Sequence, residues 1–582
     1  MEDRLLHAQE NKEDLKVVQK ELKMAIKKEK RVHKEKIEKN FVGNNMKRAW
    51  HGLKLMSGYN NAKNRINLCP QNDNSYVNEL NLSYNRFDCD DFCNDHTQIR
   101  NNLCAPERQD YDIFFSTNEI EVNKLFSRLN PTKASGPDKI SPRVLKMCAN
   151  QLANIFSFIY NMCFKTNCLR AIWKRSCIIP VPKKSVISTM NDLRPVALTS
   201  ALMKVCERIV LTQLNTYVKD FIDPYQFAYR QNRSTDDAIL LVLHNIYSHL
   251  DLAGKSVRLM FFDFSSAFNT IQPHLLVQKL LRMSVPSNMI AWIFNYLTNR
   301  SQYVRSGDII SNIISSNTGA PQGTVLAPFL FTLYTADCRS CNDSCPLVKF
   351  ADDTSMVGKI NQDNYSYYLD EIDRFVHYCK TNYLHLNVGK TKEMLIDFRR
   401  NVKTPDPVII DGAEVERTCI YTYLGTRLDN KLRFCENVDF IIKKANSRMY
   451  CLRKLRSFDV NSNLLSIFYN ASVLSILSFG IVCWGGGISV HEKGRLEKIV
   501  KKASRIIGEN QLSIQNLYDR RLTDKVRQIL SDTTHPLYNY FENERIDRSG
   551  RLRTPRTNTN RYKTSFIPRA ISVYNSEFYQ RN

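Results

Sequence analysis

Acidic residues are scarce in this sequence relative to basic ones. Its 582 residues hold 58 Asp and Glu against 83 Lys and Arg, which gives a formal net charge of +25 at pH 7. A surplus of that size favours a polyanionic partner, because Lys and Arg displace the counterions of a phosphate backbone when they bind it. Charge alone also fits a protein that is merely very soluble. Nucleic acid binding is therefore the first hypothesis.

Long apolar runs and a secretory leader are also missing. The opening residues, MEDRLLHAQENKEDL, are polar and lack the apolar core of a signal peptide. The longest apolar run, Ala471 to Trp484, is interrupted by serines and is shorter than the ~20 residues that span a bilayer. The 17 cysteines have no regular spacing, which is typical of free thiols in a reducing compartment. These patterns predict an intracellular protein of the nucleus and cytoplasm with no membrane role.

The length predicts two to four domains, because a single core rarely grows this large. Neither Pro nor Gly occurs before Gly43, which favours a charged helix at the start. We predict five segments: a charged helical segment at 1–55, an irregular connector at 56–115, a mixed α+β region at 116–430, basic amphipathic helices at 431–510, and a basic irregular tail at 511–582.

Two acidic sites follow apolar runs in the α+β region. One is Asp263 in FFDFSSAF (261–268), and the other is the pair Asp352 and Asp353 in VKFADDT (348–354), which fits a β-hairpin. Carboxylates among buried strands repel one another unless a cation compensates them. Oxygen ligands without His or Cys suit Mg²⁺, and two such ions ~3.5–4 Å apart suit in-line displacement at phosphorus. An Asp-Asp pair alone is more often a solvated turn.

Between these sites lies a Gly- and Pro-containing loop, NTGAPQGTVLAP (317–328). Gly319 and Gly323 permit close backbone approach, and Pro321 stiffens a turn before a predicted helix. LNVGKTK (386–392) and YLG (423–425) follow downstream.

In this order the motifs resemble those of reverse transcriptases. The series is LRPVAL (193–198), QFAYRQNRSTDDA (226–238), FFDFSSAF, GAPQGTVLAP, FADD, LNVGKTK and YLG. The phenylalanine before ADD and the lead-in NPTKASGPD (130–138) are similar to non-LTR (LINE) retrotransposons of the jockey and chicken-repeat kind. The similarity extends over roughly residues 40 to 575.

The resemblance implies an RNA-directed DNA polymerase, with a right-hand fold of fingers and palm at 116–430 and a helical thumb at 431–510. It implies two Mg²⁺ ions, with Mn²⁺ as a substitute, an RNA template, a DNA primer or target, and dNTPs, with no obligate protein partner. Asp263, Asp352 and Asp353 would be catalytic and bind the metals together with the carbonyl of Phe264.

The same resemblance implies a nucleotide site. Its members would be Arg194 and Arg230 on the triphosphate, Phe268 against the sugar, Gln322 and Gly323 in the pocket, and Lys390 near the pyrophosphate. Tyr423, Leu424 and Gly425 would form the primer grip. Read without the resemblance, Phe268 is an ordinary core aromatic and the two arginines are surface ion pairs.

Basic clusters on the predicted thumb helices are candidates for phosphate contact, although a charge run is usually a solvated face. They are Lys444, Arg448, Lys498, Lys501, Lys502 and Arg505. A zinc site at Cys89, Cys93, His96 and Cys104 is a minor alternative because the ligand spacing is irregular. The spacing of Cys338, Cys341 and Cys345 is close to that of zinc ligands but lacks a fourth.

The motifs differ from the family's most common residues at Thr324, Ala327 and Gly389, and none of these differences removes a carboxylate. We expect neither an upstream endonuclease nor an RNase H domain in this chain. Two other readings stay open: a viral RNA-dependent RNA polymerase, which Phe268 and FADD disfavour, and a non-catalytic nucleic-acid-binding remnant of a transposon.

Overall fold

The computed structural model describes residues 2–42, 46–58, 74–88, 98–99, 115–184, 187–400, 404–542 and 551–581. These residues group into two units. The sheet unit comprises Arg65–Cys419 and Thr533–Tyr538, and the helical unit comprises Met1–Asn64, Ile420–Asp532 and Asn539–Asn582.

The helices are, in chain order, α1 Glu2–Val42, α2 Met46–Ser57, α3 Asn74–Tyr84, α4 Glu119–Ser127, α5 Pro142–Met147, α6 Ala149–Thr166, α7 Ala171–Lys174, α8 Ala201–Val218, α9 Thr235–Leu250, α10 Pro273–Arg282, α11 Ser287–Leu297, α12 Ala327–Tyr334, α13 Ser366–Thr381, α14 Cys435–Ser457, α15 Ser462–Tyr469, α16 Ser475–Leu477, α17 Ile481–Trp484, α18 Val490–Ile507, α19 Ile514–Leu530, α20 Tyr538–Glu542, α21 Asn560–Thr564 and α22 Phe566–Arg581. The strands are β1 Ser176–Pro182, β2 Leu193–Leu198, β3 Lys255–Phe262, β4 Arg300–Ser306, β5 Ile309–Ile310, β6 Ile314–Ser316, β7 Leu347–Phe350, β8 Asp353–Asn361, β9 Lys392–Ile396, β10 Ile409–Ile410, β11 Ala413–Glu414, β12 Glu416–Arg417, β13 Ile420–Tyr423 and β14 Thr426–Asp429.

The sheet unit contains two larger sheets. One has the order β12-β9-β3-β8-β7, and the other has the order β2-β1-β4-β5 with β6 paired to β4. Strand β3 is central in the first sheet and is buried from Ser256 to Phe262. A nearly continuous apolar run is what a strand covered on both faces requires. The mixed α+β fold predicted for this region is confirmed.

Helix starts in the sheet unit follow local capping chemistry. The Ser200 hydroxyl accepts a hydrogen bond from the Met203 N–H at the start of α8. Ser234 and Asp237 form a capping box at the start of α9. Such side chains satisfy N–H groups that have no partner inside the helix. The starts of α8 and α9 are therefore explained by the residues that precede or begin each helix.

In the helical unit, α14 and α18 correspond to two predicted amphipathic helices. The inner face of α18 buries Leu496, Ile499, Val500, Ala503 and Ile507. The hairpin of β13 and β14 also belongs to this unit. The units therefore part between Cys419 and Ile420, whereas the sequence reading placed the boundary after residue 430.

Irregular structure was the wrong prediction for two segments. The connector at 56–115 holds α3, whose Asn81 donates a hydrogen bond to Ser311 Oγ (3.1 Å). The tail at 511–582 holds α19, α21 and α22, and Arg569 of α22 is ion-paired with Asp519 of α19. In both segments, tertiary packing stabilises helices that composition alone did not indicate.

One helical stretch, Ser462–Trp484, is long and apolar enough by composition to cross a membrane, with a mean hydropathy of 1.8. It is longer than the apolar run read from the sequence, because α15 precedes that run and is joined to it by a π-helical turn, Asn470–Leu474. Half of the apolar stretch is buried inside the chain, which is the behaviour of a core helix.

Candidate active site

The three predicted catalytic aspartates lie at the end of one strand and at the tip of a neighbouring hairpin. Strands β7 and β8 form the predicted hairpin, closed by the pair Phe350 and Asp353. In the adjacent pairing, Phe262 of β3 lies opposite Thr354 of β8. This register places Asp263, which follows β3 directly, beside the start of β8.

The backbone around Asp263 is fixed by the segment LNVGKTK. The Asn387 N–H donates to the Asp263 carbonyl (2.8 Å), and the Asp263 N–H donates to Thr391 Oγ1 (3.3 Å). The Ser265 N–H donates to the His385 carbonyl (2.8 Å). This motif therefore fixes the backbone that carries the Asp263 carboxylate in addition to presenting Lys390.

A cleft of about 490 Å³ opens above these residues in the sheet unit. Eight of the predicted site residues line it: Arg194, Asp263, Phe264, Phe268, Gln322, Gly323, Asp352 and Lys390. The other lining residues were not predicted, and they include Arg86, Lys183 and Tyr229. The fold thus brings together motifs that lie far apart in the sequence.

Burial raises the pKa of all three aspartates, and neighbouring carboxylates raise it further at Asp352 and Asp353. Loss of hydration raises the pKa of Asp263 and of Asp352, and the negative charge of Asp263 adds to the effect at Asp352. For Asp353, loss of hydration together with the charges of Asp352 and Asp263 raises the pKa to about 6. Carboxylates in such surroundings bind protons or cations more readily than isolated ones.

Four cationic side chains share the cleft with Asp263 and Asp352. Lys390 Nζ lies 3.7 Å from Asp263 Oδ2, and its charge lowers the Asp263 pKa in opposition to burial. Burial lowers the pKa of Lys183, and the nearby charges of Lys390 and Arg194 lower it further. Arg86 is the fourth cation, with Nη2 3.4 Å from Ser266 Oγ. Crowded cations of this kind match the charge of a polyphosphate.

The loop at 317–328 is held against both sides of the cleft. The Ala320 N–H donates to the Phe268 carbonyl (2.8 Å), and the Ala197 N–H donates to the Gln322 carbonyl (2.8 Å). Gly319 has a φ of +76°, and a Cβ there would lie 2.7 Å from the Asn269 backbone. The predicted need for close backbone approach is confirmed at Gly319.

The helix after this loop is anchored by a fully buried carboxyl group. Glu207 accepts hydrogen bonds from the N–H groups of Val325 and Leu326, just before α12. Burial raises the pKa of Glu207 to about 7. Sequence reading missed this residue, since nothing in α8 distinguishes it from a surface glutamate.

Phe268 is partly buried and packs against Phe331, with ring centroids 5.1 Å apart. It also lines the cleft, so one edge of the ring borders the space that a ligand would fill. Phe268 is therefore a core aromatic that also lines the cleft.

The structure brings neither Arg230 nor Asp353 to the cleft lining within the described residues. Arg230 Nη1 donates to the carbonyls of Asp223 (3.1 Å) and Pro224 (3.4 Å). Its neighbour Tyr229, with a φ of +58°, lines the cleft instead.

The predicted primer grip and thumb residues lie in the helical unit. Leu424 and Gly425 form the two-residue turn of the β13–β14 hairpin, with φ values of +46° and +90°. Tyr423 is buried before this turn. The cluster on α18 is exposed to solvent, and its members are Lys498, Lys501, Lys502 and Arg505. On α14, Lys444 Nζ lies 3.9 Å from the centre of the Phe440 ring, and Arg448 is one turn further along.

Among the described residues, no three His, Cys, Asp or Glu side chains are close enough to form a metal cluster as they stand. Cys338 and Cys345 are buried thiols and Cys341 is exposed. The alternative zinc ligands Cys89, Cys93, His96 and Cys104 lie outside the described residues.

Comparison with known proteins finds a family match in the middle of the chain. Residues 181–428 match the family described as "Reverse transcriptase (RNA-dependent DNA polymerase)". All three aspartates and the loop at 317–328 fall inside this span. The match implies a polymerase palm-type fold for the sheet that carries the aspartates.

Full-length relatives come from insect transposons. The chain is 26% identical over 408 residues to the probable RNA-directed DNA polymerase from transposon X-element of Drosophila melanogaster, across 68% of this chain and 44% of the relative. It is 23% identical over 396 residues to the RNA-directed DNA polymerase from mobile element jockey of the same species, across 65% and 42%. The corresponding enzyme from transposon BS is 24% identical across 63% and 42%. The chain therefore spans less than half the length of these relatives.

Proposed function

We propose that this chain, which contains a reverse transcriptase domain of the jockey-like non-LTR retrotransposon type, copies RNA into DNA by adding dNTPs to a primer 3′-hydroxyl. The predicted resemblance is confirmed by the family match and the transposon relatives. The observation that carries the proposal is the shared cleft, in which Asp263 and Asp352 face a ring of basic side chains.

The aspartates fit the Mg²⁺ ions that this reaction requires. Asp263 Oδ2 is buried and accepts no hydrogen bond within the described residues, and Lys390 at 3.7 Å is beyond hydrogen-bond range. All candidate ligand atoms are oxygens, which suits a hard cation. We propose Asp263, Asp352 and Asp353 with the Phe264 carbonyl as the ligands, and Mn²⁺ as a substitute ion. When bound, the ions would activate the primer hydroxyl and stabilise the departing pyrophosphate.

The chain's own cations would hold the incoming triphosphate. Arg194 and Lys390 are the residues implied by the family, and Arg86 and Lys183 line the same cleft. Guanidinium groups match phosphate oxygens in two-point contacts, and a lysine acts as a compact point charge. Arg230 is not needed for this arrangement.

Nucleotide selection would rest on the side of the cleft formed by Phe268, Gln322 and Gly323. The Phe268 ring, braced by Phe331, would occupy the space of a 2′-hydroxyl. Gln322 and Gly323 are fixed to β2 and would pack against the base pair.

The helical unit would act as the thumb of a right-hand polymerase, and the sheet unit would form the fingers and palm. Tyr423, Leu424 and Gly425 would grip the primer strand. The exposed cluster on α18 and the basic side chains of α14 would contact phosphates, which fixes position without reading sequence.

Primer extension tests the proposal directly. The purified protein should extend a DNA primer on an RNA template with dNTPs and Mg²⁺. Asp352→Asn should lower the rate by several orders of magnitude, as loss of a metal ligand does, and should leave template-primer binding intact. Asp370→Asn, on the exposed face of α13, is the matched control and should extend normally.

Three outcomes separate the alternatives. Extension with rNTPs in place of dNTPs would indicate an RNA-dependent RNA polymerase. Binding of template-primer without extension by any nucleotide would indicate a non-catalytic remnant. Normal extension by Asp352→Asn would contradict the assignment of the site.

A further inference from the structure

We propose that Gln226, a buried glutamine outside the cleft, is a positioning residue that fixes the hairpin turn carrying Asp352 in its metal-binding geometry. This inference rests on the proposed function for its chemistry, but its primary test does not require polymerase activity. Gln226 is 1% exposed and is not among the residues that line the cleft.

The two-residue hairpin turn that holds Asp352 has a strained backbone. The closing pair of Phe350 and Asp353 leaves only Ala351 and Asp352 in the turn. Ala351 has a φ of +59°. Tight hairpins prefer glycine where φ is positive, because a Cβ in this region costs roughly 1–2 kcal/mol. An alanine here therefore needs support from its surroundings.

Gln226 supplies that support through both ends of its amide group. Its Oε1 accepts a hydrogen bond from the Ala351 N–H (2.9 Å), and its Nε2 donates to the Ala351 carbonyl (3.3 Å). One side chain thereby holds both peptide groups that flank the strained residue. The second of these peptide groups leads directly into Asp352.

The glutamine is itself rigidly held against β7. The Phe227 N–H donates to the Lys349 carbonyl (2.9 Å), and the Lys349 N–H donates to the Tyr225 carbonyl (2.9 Å). Lys349 is buried, and its Nζ lies 2.7 Å from Asp223 Oδ2. Gln226 Oε1 also accepts from the Ala228 N–H (3.0 Å). Little freedom is left for the amide to move away from the turn.

A displaced turn would move a metal ligand. Binding sites need their ligands held within about 0.5 Å of the productive geometry. Removing a residue that orients a metal ligand, without itself binding the metal, typically lowers metal affinity or activity by 10–100-fold. The structure assigns this role for Asp352 to Gln226, which the sequence reading did not single out within its motif.

The decisive variant is Gln226→Met, because it removes both hydrogen bonds to Ala351, together with the one from the Ala228 N–H, at similar side-chain volume. Mn²⁺ binding to the purified protein, followed by electron paramagnetic resonance without nucleic acid or nucleotide, is the primary readout. Asp352→Asn defines the signal of the site. We expect Gln226→Met to raise the Mn²⁺ Kd by roughly 10–100-fold.

A second substitution separates positioning from ordinary core stability. Ala351→Gly relieves the backbone strain at positive φ, so the turn no longer needs the hydrogen bonds from Gln226. The double variant Gln226→Met/Ala351→Gly should therefore recover most of the Mn²⁺ affinity. Asn245→Ala is the matched control, because it removes a buried amide of α9 that donates only to the Leu241 carbonyl (2.9 Å) of its own helix. It should lower Tm without changing the Kd.

The proposal is overturned if Gln226→Met binds Mn²⁺ like wild type, if the glycine substitution restores nothing, or if wild-type binding does not depend on Asp352. Primer extension by the same proteins provides the separate test of function. Asp352-dependent Mn²⁺ binding that is sensitive to Gln226, without extension by wild type, would support this inference and refute the polymerase proposal.

Discussion

Lys390 Nζ lies 3.7 Å from Asp263 Oδ2, so the lysine that the family resemblance places near the pyrophosphate is ion-paired with one of the predicted catalytic carboxylates. Burial raises the Asp263 pKa and Lys390 lowers it. A single lysine therefore links the predicted nucleotide site to the predicted metal site.

Lys390→Ala should slow nucleotide addition by roughly 10²-fold, the lower end of what a positioned proton donor contributes. Because the Asp263 pKa rises when Lys390 is lost, the acid limb of the pH–rate profile should move to higher pH. Single-turnover extension from pH 5.5 to 8.5 measures both effects. Lys380→Ala, which removes an exposed lysine paired with Asp411 at 2.5 Å, is the control. If the acid limb of the pH–rate profile does not move in Lys390→Ala, it does not report the Asp263 pKa, and this prediction is contradicted.

Asp353→Asn should stabilise the metal-free protein at neutral pH. The Asp353 pKa is about 6 in the fold, above the ordinary value of 3.8. A carboxyl group with a raised pKa stabilises the fold below pH 4, and this contribution is lost as pH rises through 6. The Tm difference between Asp353→Asn and wild type in EDTA should therefore be small at pH 4 and positive at pH 8.

Added Mg²⁺ should raise the Tm of wild type at pH 8 more than that of Asp353→Asn, since the ion offsets the repulsion that the substitution removes. Asp370→Asn serves as the exposed control. If the Tm difference between Asp353→Asn and wild type is independent of pH, ionisation of Asp353 does not destabilise the fold, and the prediction is wrong.

Phe268→Ala should admit ribonucleotides, because the ring is proposed to fill the space of the 2′-hydroxyl. The readout is the ratio of rNTP to dNTP incorporation at matched extension rates. Phe331→Leu loosens the packing behind the same ring without changing a residue that lines the cleft. If Phe331→Leu alone changes the ratio of rNTP to dNTP incorporation, the packing behind Phe268 determines the selection, and not exclusion of the 2′-hydroxyl by the ring.

Replacing Lys498, Lys501 and Lys502 with Ala should shorten products and lower the salt tolerance of template-primer binding. Each lost phosphate contact should reduce the slope of log K against log salt by about 1. Addition of one nucleotide at low salt should be nearly normal, because the aspartates are unchanged. The triple variant at Lys20, Lys23 and Lys27 of α1 removes the same charge from another exposed helix. If both triple variants weaken binding and shorten products equally, the effect comes from the lower net charge of the protein and not from phosphate contacts of α18.

His535→Ala should lower the free energy of unfolding by about 1–3 kcal/mol, because it removes a buried hydrogen-bond partner. His535 Nε2 lies 3.2 Å from Asp237 Oδ1, and both side chains are fully buried. The Leu537 N–H donates to His535 Nδ1, so the other nitrogen carries the proton that Asp237 accepts. Chemical denaturation measures the loss. His491→Ala, at a side chain that is 79% exposed, should have almost no effect.

The sequence singled out Asp263, Asp352 and Asp353 as candidates because their placement has a local cause. Asp263 ends an apolar strand, and the pair at 352–353 interrupts an apolar hairpin, so the cost of burying charge is visible without a structure. The basic face of α18 was predictable for a similar reason, since its lysines and buried residues follow the helical period.

Residues whose roles arise from tertiary packing could not be found this way. Arg86 reaches the cleft because α3 is docked on β4 and β5, and its own neighbours carry no nucleotide motif. Gln226 and Glu207 act through peptide groups more than 100 residues away in sequence. The helix α19 was different: Ile514, Leu517, Leu522, Val526 and Ile529 give a helical period that the surrounding charge obscured.

The stretch Thr533–Tyr538 packs in the sheet unit although the residues on both sides of it pack in the helical unit. The two units are therefore interleaved along the chain, and a single cut cannot separate them. A protein shortened to the span of the family match would lose His535, the buried partner of Asp237 at the start of α9. Loss of that histidine would leave the buried Asp237 carboxyl group without this partner. The sheet unit is consequently discontinuous in the sequence, and deletions that remove Thr533–Tyr538 should be read as core mutations, not as removal of a dispensable tail.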